Sequence, residues 1–238
     1  MSTMSDDRLV HLRKCHLFTD APEESLAGLA RASSVQTVER GAQIFATGDE
    51  ADGLRIVLSG QVRIWIADRE GRELTLVFAE PGDPFGEIAL LDGLPRSASA
   101  TALEPTRCLF LPVRAMANAL EADTALARHL IECLCEILRR NVSTISGFAF
   151  SSLDTRLARG LYDLALDNAE IADGQARFTR RYSQSDLAQL LGATREAVNK
   201  RLRALEHDGL LARDGQMLIL PDLPGLAKRA EIERDLGV

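Results

Sequence analysis

The sequence predicts an α+β fold in which an N-terminal β-domain is followed by a long helix and a C-terminal helical domain. Short apolar runs between closely spaced glycines occupy residues 41–82, and a helical period runs from about Ala115 to Phe148. Two short helical patterns joined by Gly192 follow. A chain of 238 residues with 46% hydrophobic residues is long enough for two domains.

The N-terminal part begins with a predicted short helix over 22–32, with Thr19 or Asp20 as its N-cap. The chain then changes to the runs QIFAT, LRIVLSG, QVRIWIA and ELTLVFA, each bounded by glycine or polar residues. Residues 68–72 provide a polar hairpin turn between the last two runs. This spacing is typical of a small all-β sandwich or barrel.

Residues 85–100, FGEIALLDGLPRSASA, combine glycine turns, an acid directly after the first glycine and an Arg-Ser pair in a largely apolar run. Because Ile88 and the leucines after it are apolar, we expect this segment to be buried. A buried Arg96 then needs an anionic partner, which is either Glu87 or a ligand.

A phosphate suits this segment best among anions. The guanidinium fork of Arg96 matches a phosphate, and the hydroxyl of Ser97 adds a donor. The amides of residues 86–89 are expected to form a short helix N-terminus that points at the same anion. The carboxylate of Glu87 is suited to accept a hydrogen bond from a sugar hydroxyl.

The pattern F-G-E-I-A-L-L-D-G-L-P-R-S-A resembles the phosphate-binding cassette of cyclic-nucleotide-binding domains, as in the cyclic-AMP receptor protein (Crp/Fnr) family of transcriptional regulators and in regulatory subunits of cyclic-AMP-dependent kinases. The segment FATGDEADGLRIVLSGQVR resembles the strand-turn-strand region of the same domains.

The resemblance implies a jelly-roll-like cyclic-nucleotide-binding β-roll over 1–123. In degenerate members, by contrast, the arginine and the glutamate pair internally and the pocket is closed. The ligand contacts that the resemblance implies are the phosphate ligands Arg96 and Ser97, the ribose ligand Glu87, and the backbone of Gly86, Ile88 and Ala89.

The helical pattern carries two apolar stripes. The first resembles the seam of a two-stranded coiled coil, in which a polar Asn141 fixes the register, and the second is expected to pack on the chain's own β-domain. A single long core helix in a monomer is the alternative. Glycine and serine residues break the helical pattern at 147–154, which indicates a hinge between domains. The resemblance implies a homodimer, and we assign 124–150 to its dimerisation helix and the start of the hinge. The first stripe consists of Leu126, Leu130, Leu134, Ile137, Asn141, Thr144 and Phe148, and the second of Ile131, Leu134, Leu138, Val142 and Ile145.

In this family, residues on the long helix touch the purine, and the Thr-Ser pair that contacts adenine in the best-known member aligns with Asn141 and Val142. An asparagine amide offers both a donor and an acceptor, so it suits the edge of adenine or of guanine. Cyclic AMP is therefore the first choice of allosteric ligand and cyclic GMP the next. A ligand of another kind stays open.

The C-terminal domain, 151–238, is predicted to be a winged helix-turn-helix. A new helix is expected to start near Leu153. Ser183 with Asp186 forms a capping-box pattern, Gly192 makes the turn, and Thr194 caps a second helix. The inward residues of that helix are Val198, Leu202 and Leu205, and residues 209–220 resemble a β-hairpin wing.

A local basic excess accompanies this element. The formal charge of −7 argues against a protein that coats nucleic acid, but residues 175–213 hold eight lysines and arginines against four acids, an excess of four. The string SQSDLAQLLGATREAVNKRLRALEHDGLL is similar to the DNA-binding signature of the same family. Helix pairs also occur in proteins that never touch DNA, and that alternative stays open.

The outward side chains of the second helix suit base edges and phosphates. The resemblance implies that Arg195 binds guanine and that Glu196 accepts from cytosine. Asn199 departs from the family pattern, because it replaces a small residue of the best-known member, so we expect an added adenine contact and an altered half-site. Arginines that flank this helix either contact phosphates or are solvated surface residues, and the sequence favours neither alternative. The DNA-binding candidates are Thr194, Arg195, Glu196, Asn199, Lys200 and Arg203 on the helix, with Arg180, Arg181 and Arg213 as flanking candidates.

Other classes of protein are disfavoured. The four cysteines lack the paired spacing of a zinc site and are expected to be reduced, and the histidines are isolated, so no metal, haem or iron-sulfur cluster is expected. No apolar run is long enough for a membrane span, and the N-terminus lacks a secretory signal, which predicts a cytoplasmic protein. No nucleophile with a base appears, so an enzyme is not expected.

The sequence therefore predicts a homodimeric, ligand-gated regulator that binds double-stranded DNA at a pseudo-palindromic site, with RNA polymerase as a further expected partner. A cyclic-nucleotide-binding module that acts through a protein partner is the first alternative. A family member that senses another ligand, or that is constitutively active, is the second.

Overall fold

A computed structural model of the chain describes residues 3–19 and 21–232, without the side chains of 3–6, 140, 143 and 148. The chain divides into two compact units, the first comprising 1–71 with 76–140 and the second 72–75 with 141–238. Each is a mixed unit of helices and strands, as the predicted α+β fold class requires.

The first unit is a β-roll preceded and followed by helices. Strands β1, β8, β3 and β6 form one four-stranded sheet in that order, and β2, β7, β4 and β5 form a second. The elements in chain order are α1 (Thr3–Lys14), a 3₁₀ turn (His16–Phe18), α2 (Glu23–Ala32), β1 (Ser34–Val38), β2 (Gln43–Phe45), β3 (Gly53–Ser59), β4 (Val62–Ala67), β5 (Glu73–Ala79), β6 (Pro84–Phe85), α3 (Glu87–Asp92), β7 (Ser99–Ala102), β8 (Thr106–Pro112), α4 (Val113–Ala122) and α5 (Thr124–Phe150).

Alternating side chains of β3 and β8 give this sheet two apolar faces. Leu54 and Ile56 of β3, with Leu109 of β8, contact the surrounding helices in one core. Val57 of β3 and Cys108 of β8 belong to a second, smaller core that includes side chains from the other sheet. The sheet is therefore covered on both faces, which fixes the loops at its end where β2, β3 and α3 meet.

The N-terminal helices differ from the sequence prediction. Helix α1 was not predicted, because it carries few apolar residues, yet its Leu12 is buried in the larger core. Helix α2 begins at Glu23 with Pro22 at the N-cap, so the prediction of Thr19 as the cap was wrong. Asp20, the other cap candidate, lies outside the described residues.

The burial of the two stripes of α5 differs from the prediction. Leu126 and Leu130, assigned to the seam, are buried against the helices and strands of the first unit. In the second stripe Leu134 is half-buried, and the other four members have exposed fractions of 56–65%: Ile131, Leu138, Val142 and Ile145. The predicted packing on the β-domain was therefore wrong for Ile131 and Leu138, which belong to the first unit.

In its described residues, which end at 232, the second unit contains the end of α5, four more helices and a four-stranded sheet. The sheet order is β11, β12, β10 and β9, so the predicted hairpin wing is present but two strands that the sequence did not predict extend it. Its further elements are α6 (Leu153–Asn168), β9 (Ala169–Ala172), β10 (Gln175–Phe178), α7 (Gln184–Leu191), α8 (Arg195–His207), β11 (Ala212–Asp214), β12 (Met217–Leu220) and α9 (Leu223–Arg229).

The break before α6 lies within the segment 147–154 in which the sequence predicts it. Helix α5 continues two residues beyond the predicted Phe148, to Phe150, so the chain leaves the helix only at residues 151–152. The next helix begins at Leu153 as predicted, because the Ser152 hydroxyl accepts from the backbone N–H of Thr155.

None of the helices over 3–19 and 21–232 is long and apolar enough to cross a membrane.

Candidate functional site

The Arg96 side chain is held inside the β-roll by three acceptors. Its Nη1 donates to the Gly86 carbonyl at 2.7 Å, and its Nη2 donates to the Gly53 carbonyl at 2.7 Å and to Asp52 Oδ1 at 2.5 Å. The guanidinium also lies 4.2 Å from the Phe45 ring centroid. The residue is 2% exposed, and its Nε is buried without a hydrogen-bond partner. A buried donor without an acceptor is destabilising, so the Nε–H is the donor of Arg96 that an added acceptor would satisfy.

The internal partner of Arg96 is a residue that the sequence did not single out. The sequence predicted that either Glu87 or a ligand would be the anionic partner of Arg96. The carboxylate that accepts a hydrogen bond from Arg96 is instead that of Asp52. Asp52 also accepts from Arg55, at 3.0 Å on Oδ1 and 2.6 Å on Oδ2. A separation of 44 residues between Asp52 and Arg96 leaves no local pattern from which to find this pair.

The charge of Asp52 depends on these two arginines. Partial burial by itself opposes ionisation, but hydrogen bonds and charge from Arg55 and then from Arg96 outweigh it and lower the pKa of Asp52 to about 2. The carboxylate is 52% exposed and remains ionised at neutral pH.

We expect the free energy of unfolding to depend on the ionisation of Asp52 at acid pH. A pKa that is lower in the folded protein than its ordinary value of 3.8 contributes stability above pH 3.8, and that contribution is lost as the pH falls towards about 2. Denaturant unfolding at several pH values should show a steeper loss of unfolding free energy over this interval in the wild type than in Asp52→Asn. Parallel curves for the two proteins would contradict the assignment.

The other cassette residues surround the guanidinium. Gly86 adopts φ +80°, and a Cβ there would lie 2.5 Å from Arg96 Nη1, so the position requires glycine. Glu87 is half-buried, and burial raises its pKa although the charge of Arg96 acts in the opposite direction. Ser97 is exposed, and Ala89 is buried.

Ile88 departs from the prediction. The apolar run was expected to be buried, but the side chain of Ile88 is 43% exposed, because α3 is short and turns this residue outwards. Leu90 and Leu91 are partly buried against the larger core. Only a backbone role was assigned to Ile88, and that role does not depend on the direction of its side chain.

Asn141 and Val142, the two residues predicted to contact a purine, lie on α5 and not in the cassette segment. Asn141 and Val142 are exposed on α5 and belong to the second unit, whereas the cassette belongs to the first.

The helix-turn-helix forms as the sequence predicts. Ser183 and Asp186 make a reciprocal capping box, and Gly192 ends α7 in the left-handed conformation. The Thr194 hydroxyl accepts from the N–H of Ala197 and caps α8. The inward side chains of α8, which are Val198, Leu202 and Leu205, are all buried.

The outward face of α8 is polar and open. Arg195, Glu196, Lys200 and Arg203 are exposed, and Asn199 is half-buried. An open depression of about 480 Å³ lies between several of them. The structure thus brings together all six predicted residues. Arg195 is the first residue of α8, and the other five line the depression: Thr194, Glu196, Asn199, Lys200 and Arg203.

A glutamine of the first helix holds two of these side chains. The Gln184 amide Nε2 donates to Asn199 Oδ1 at 2.9 Å, and Gln184 Oε1 accepts from Arg195 Nε at 3.4 Å. The sequence analysis did not single out Gln184. Its position at the first residue of α7, facing the second helix, is the signal that identifies it.

The flanking arginines have different surroundings. Arg181 is exposed and Arg180 is half-buried, both directly before α7. Arg213, on β11 of the wing, is exposed and donates to Glu206 at 2.6 Å.

No cluster of three or more His, Cys, Asp or Glu side chains is placed to hold a metal ion within the described parts of the chain. The four cysteines are free. Burial raises the pKa of Cys15 to about 12 and that of Cys108 to about 11, so neither thiol is reactive, whereas Cys135 is exposed on α5.

Comparison with known proteins gives two domain assignments. Residues 35–123 match the model of the cyclic nucleotide-binding domain, and residues 155–229 match the Crp-like helix-turn-helix domain. The cassette lies in the first range, and the capped helix pair lies in the second.

A CRP-like cAMP-activated global transcriptional regulator of Mycobacterium tuberculosis is 31% identical over 219 residues, which are 92% of this chain and 98% of the relative. Among solved structures, a CRP/FNR-family transcriptional regulator of Thermus thermophilus has a TM-score of 0.67 at 29% identity, over 83% of this chain and 98% of that one. The c-di-GMP responsive global regulator CLP of Xanthomonas campestris shares the fold with a TM-score of 0.71 at 24% identity, over 84% and 99%. The resemblance of the cassette and the helix-turn-helix is confirmed: the chain belongs to the Crp/Fnr family of transcriptional regulators.

Proposed function

We propose that this protein is a ligand-gated DNA-binding regulator whose ligand is a cyclic nucleotide, with cyclic AMP first and cyclic GMP second. The observation that carries the proposal is the buried Arg96 guanidinium, whose Nε has no hydrogen-bond partner and whose Nη1 donates to the Gly86 carbonyl of the cassette segment. Arg96 and Ser97 would bind the phosphate and Glu87 the ribose hydroxyl. The backbone of Gly86, Ile88 and Ala89 would complete the site.

The choice of cyclic AMP rests on the relatives and on α5. The name of the Mycobacterium tuberculosis relative describes activation by cAMP, and the Xanthomonas campestris regulator of the same fold is described as c-di-GMP responsive. Asn141 and Val142 are our candidates for the base contacts, and an asparagine suits either purine. Parallel calorimetric titration of the protein with cyclic AMP, cyclic GMP and c-di-GMP tests the choice, and absence of heat with all three would overturn it.

The homodimer is supported by the outward face of α5. Ile131, Cys135, Leu138, Val142 and Ile145 follow one another at steps of four and three, and all are exposed in the single chain. That spacing is the heptad repeat of a two-stranded coiled coil. A second copy of this helix is the partner that we propose for it.

DNA binding is assigned to the outward face of α8. Arg195 would donate to guanine, Glu196 would accept from cytosine, and Asn199, Lys200 and Arg203 would contact further bases or phosphates. Thr194, Arg180, Arg181 and Arg213 are candidates for phosphate. In a dimer, two such helices one DNA turn apart would bind a pseudo-palindromic site.

The ligand would act by selecting one arrangement of the dimer. Phosphate at Arg96 and base contacts on α5 would stabilise the arrangement in which both α8 helices fit successive half-sites.

We assign 1–123 to the β-roll, 124–150 to the dimerisation helix and hinge, and 151–238 to the DNA-binding domain. A regulator of this kind acts at the chromosome, so we place it in the cytoplasm, with RNA polymerase as a partner and without enzymatic activity.

Selection from a random operator library tests the DNA assignment against the alternative that the C-terminal domain binds a protein partner. We expect enrichment of a two-half-site sequence that depends on added cyclic AMP. Enrichment without any dependence on ligand would favour a constitutive regulator, and no enrichment at any salt concentration would favour the protein partner.

Glu196→Ala is expected to relax the base preference at one position of each half-site by ~1–3 kcal/mol, because the acceptor for cytosine is removed. Binding of the selected operator and its single-base variants, measured by fluorescence anisotropy, checks this. Arg181→Ala is the matched comparison, since loss of a phosphate contact should weaken all sequences alike. An unchanged preference in Glu196→Ala would contradict its role in base recognition.

A further inference from the structure

Arg55 is a second buried guanidinium in the β-roll, close to the proposed anion site. It lies on β3 and is 5% exposed. Each of its three nitrogen atoms already donates, Nε to Gln36 Oε1 at 3.1 Å and the other two to Asp52. Its guanidinium also lies 4.7 Å from the centroid of the Phe110 ring. Arg55 is thus fixed by the scaffold, and no ligand contact is needed to explain its position.

Asp52 connects Arg55 to Arg96. Its Oδ1 accepts from both arginines, and its Oδ2 accepts from Arg55. The three side chains therefore form one ionic cluster with two positive charges and one negative charge. Without Arg55, Asp52 and Arg96 would form a neutral pair, and the carboxylate would compete with a phosphate for the same guanidinium.

The hydrogen-bond donors of Arg96 also indicate that Asp52 and a phosphate compete for this guanidinium. A guanidinium has five N–H donors, and three of those in Arg96 are used by Asp52 and two carbonyls. The donors that remain are the Nε–H, which has no partner, and one N–H on Nη1. A phosphate at this site therefore binds beside an internal carboxylate, and its affinity depends on how strongly Asp52 attracts Arg96.

We propose that Arg55 sets the nucleotide affinity of this site through Asp52: as the counter-ion of Asp52, it leaves the charge of Arg96 available to a phosphate without touching the ligand itself. This inference rests on the proposed function and deepens it, because it names a positioning residue for the same site. It also accounts for a buried arginine that the phosphate contacts do not use.

Calorimetric titration of the full-length protein with cyclic AMP tests the inference through four variants. Arg55→Met should raise the Kd about tenfold or more, because the cluster loses one positive charge near the phosphate. Asp52→Asn combined with Arg55→Met should bring the Kd back to within about threefold of the wild type, because the cluster again carries one net positive charge. Arg107→Met removes an exposed arginine from β8 of the same sheet and should leave the Kd unchanged.

The recovery in the double variant distinguishes this role from a structural one. If Arg55 only supported the fold, a second substitution in the same cluster would weaken binding further. Asp52→Asn alone keeps both arginines and should bind at least as tightly as the wild type, which tests the charge argument even if Arg55→Met does not fold.

Three outcomes would overturn the inference while the wild type binds cyclic AMP: an unchanged Kd in folded Arg55→Met, no recovery in the double variant, or weaker binding by Asp52→Asn. No binding by the wild type would overturn the proposed ligand, and the inference with it. Circular dichroism and thermal unfolding of each variant show which proteins are folded.

Discussion

Substitution of Arg96 by alanine is expected to raise the Kd for cyclic AMP by about 100-fold or more and to abolish the effect of the ligand on DNA binding. A charge-assisted contact with phosphate contributes up to ~3 kcal/mol, and the alanine variant leaves the phosphate without its buried cation. Arg96→Lys should recover only part of the affinity, because an ammonium group keeps the charge but lacks the planar fork. Calorimetry and operator binding with and without ligand measure both effects.

The fold must be checked in this variant, because Arg96 also donates to the carbonyls of Gly53 and Gly86. Sedimentation should still show a dimer, since α5 provides the proposed interface. Arg107→Ala, which removes an exposed arginine from the same domain, serves as the control and should respond to ligand like the wild type. Wild-type nucleotide affinity in a folded Arg96→Ala protein would sink the assignment of the anion site.

Leu138→Glu is expected to convert the dimer into monomers at micromolar concentration. Leu138 is 62% exposed in the single chain and lies at the middle of the outward stripe of α5. A carboxylate there would face its copy across the symmetry axis of a paired coiled coil, where like charges and lost apolar contact both oppose association. Analytical ultracentrifugation measures the oligomeric state directly.

The loss of the dimer should also weaken DNA binding. Two linked recognition helices gain affinity from their effective concentration, so a monomer is expected to bind a two-half-site operator about 100-fold or more weakly. Ala125→Glu adds the same carboxylate to an exposed position of α5 outside the stripe and should remain dimeric. A dimeric Leu138→Glu protein would show that another surface joins the two copies.

Local patterns account for the features that the sequence predicted correctly. The capping box at Ser183 and the cap at Thr194 each depend on residues three positions apart, which a sequence displays directly. Gly86 is also a local signal, because its left-handed backbone at φ +80° makes the turn before α3. The two capped helices begin where they do because their own side chains accept from backbone N–H groups of the same helix.

Features that depend on distant parts of the chain were missed or misassigned. Asp52 approaches Arg96 only after β3 and the cassette loop have been brought together by the sheet. The stripes of α5 could not be assigned to their partners, because two apolar faces of similar length differ only in what packs on them. Helix α1 lacks a strong apolar period, and its burial depends on the helices that surround it.

The hydrogen bond between Gln184 and Asn199 has a consequence for the operator sequence. Because Asn199 Oδ1 accepts from Gln184, the orientation of the Asn199 amide is set by the helix pair itself. The oxygen keeps a second lone pair and the NH₂ group keeps its donors, so the side chain can still offer both an acceptor and a donor to one base edge. An amide that is already oriented loses less conformational freedom when it pairs with a base. We therefore expect Gln184 to favour the adenine contact that we propose for Asn199 without touching DNA itself.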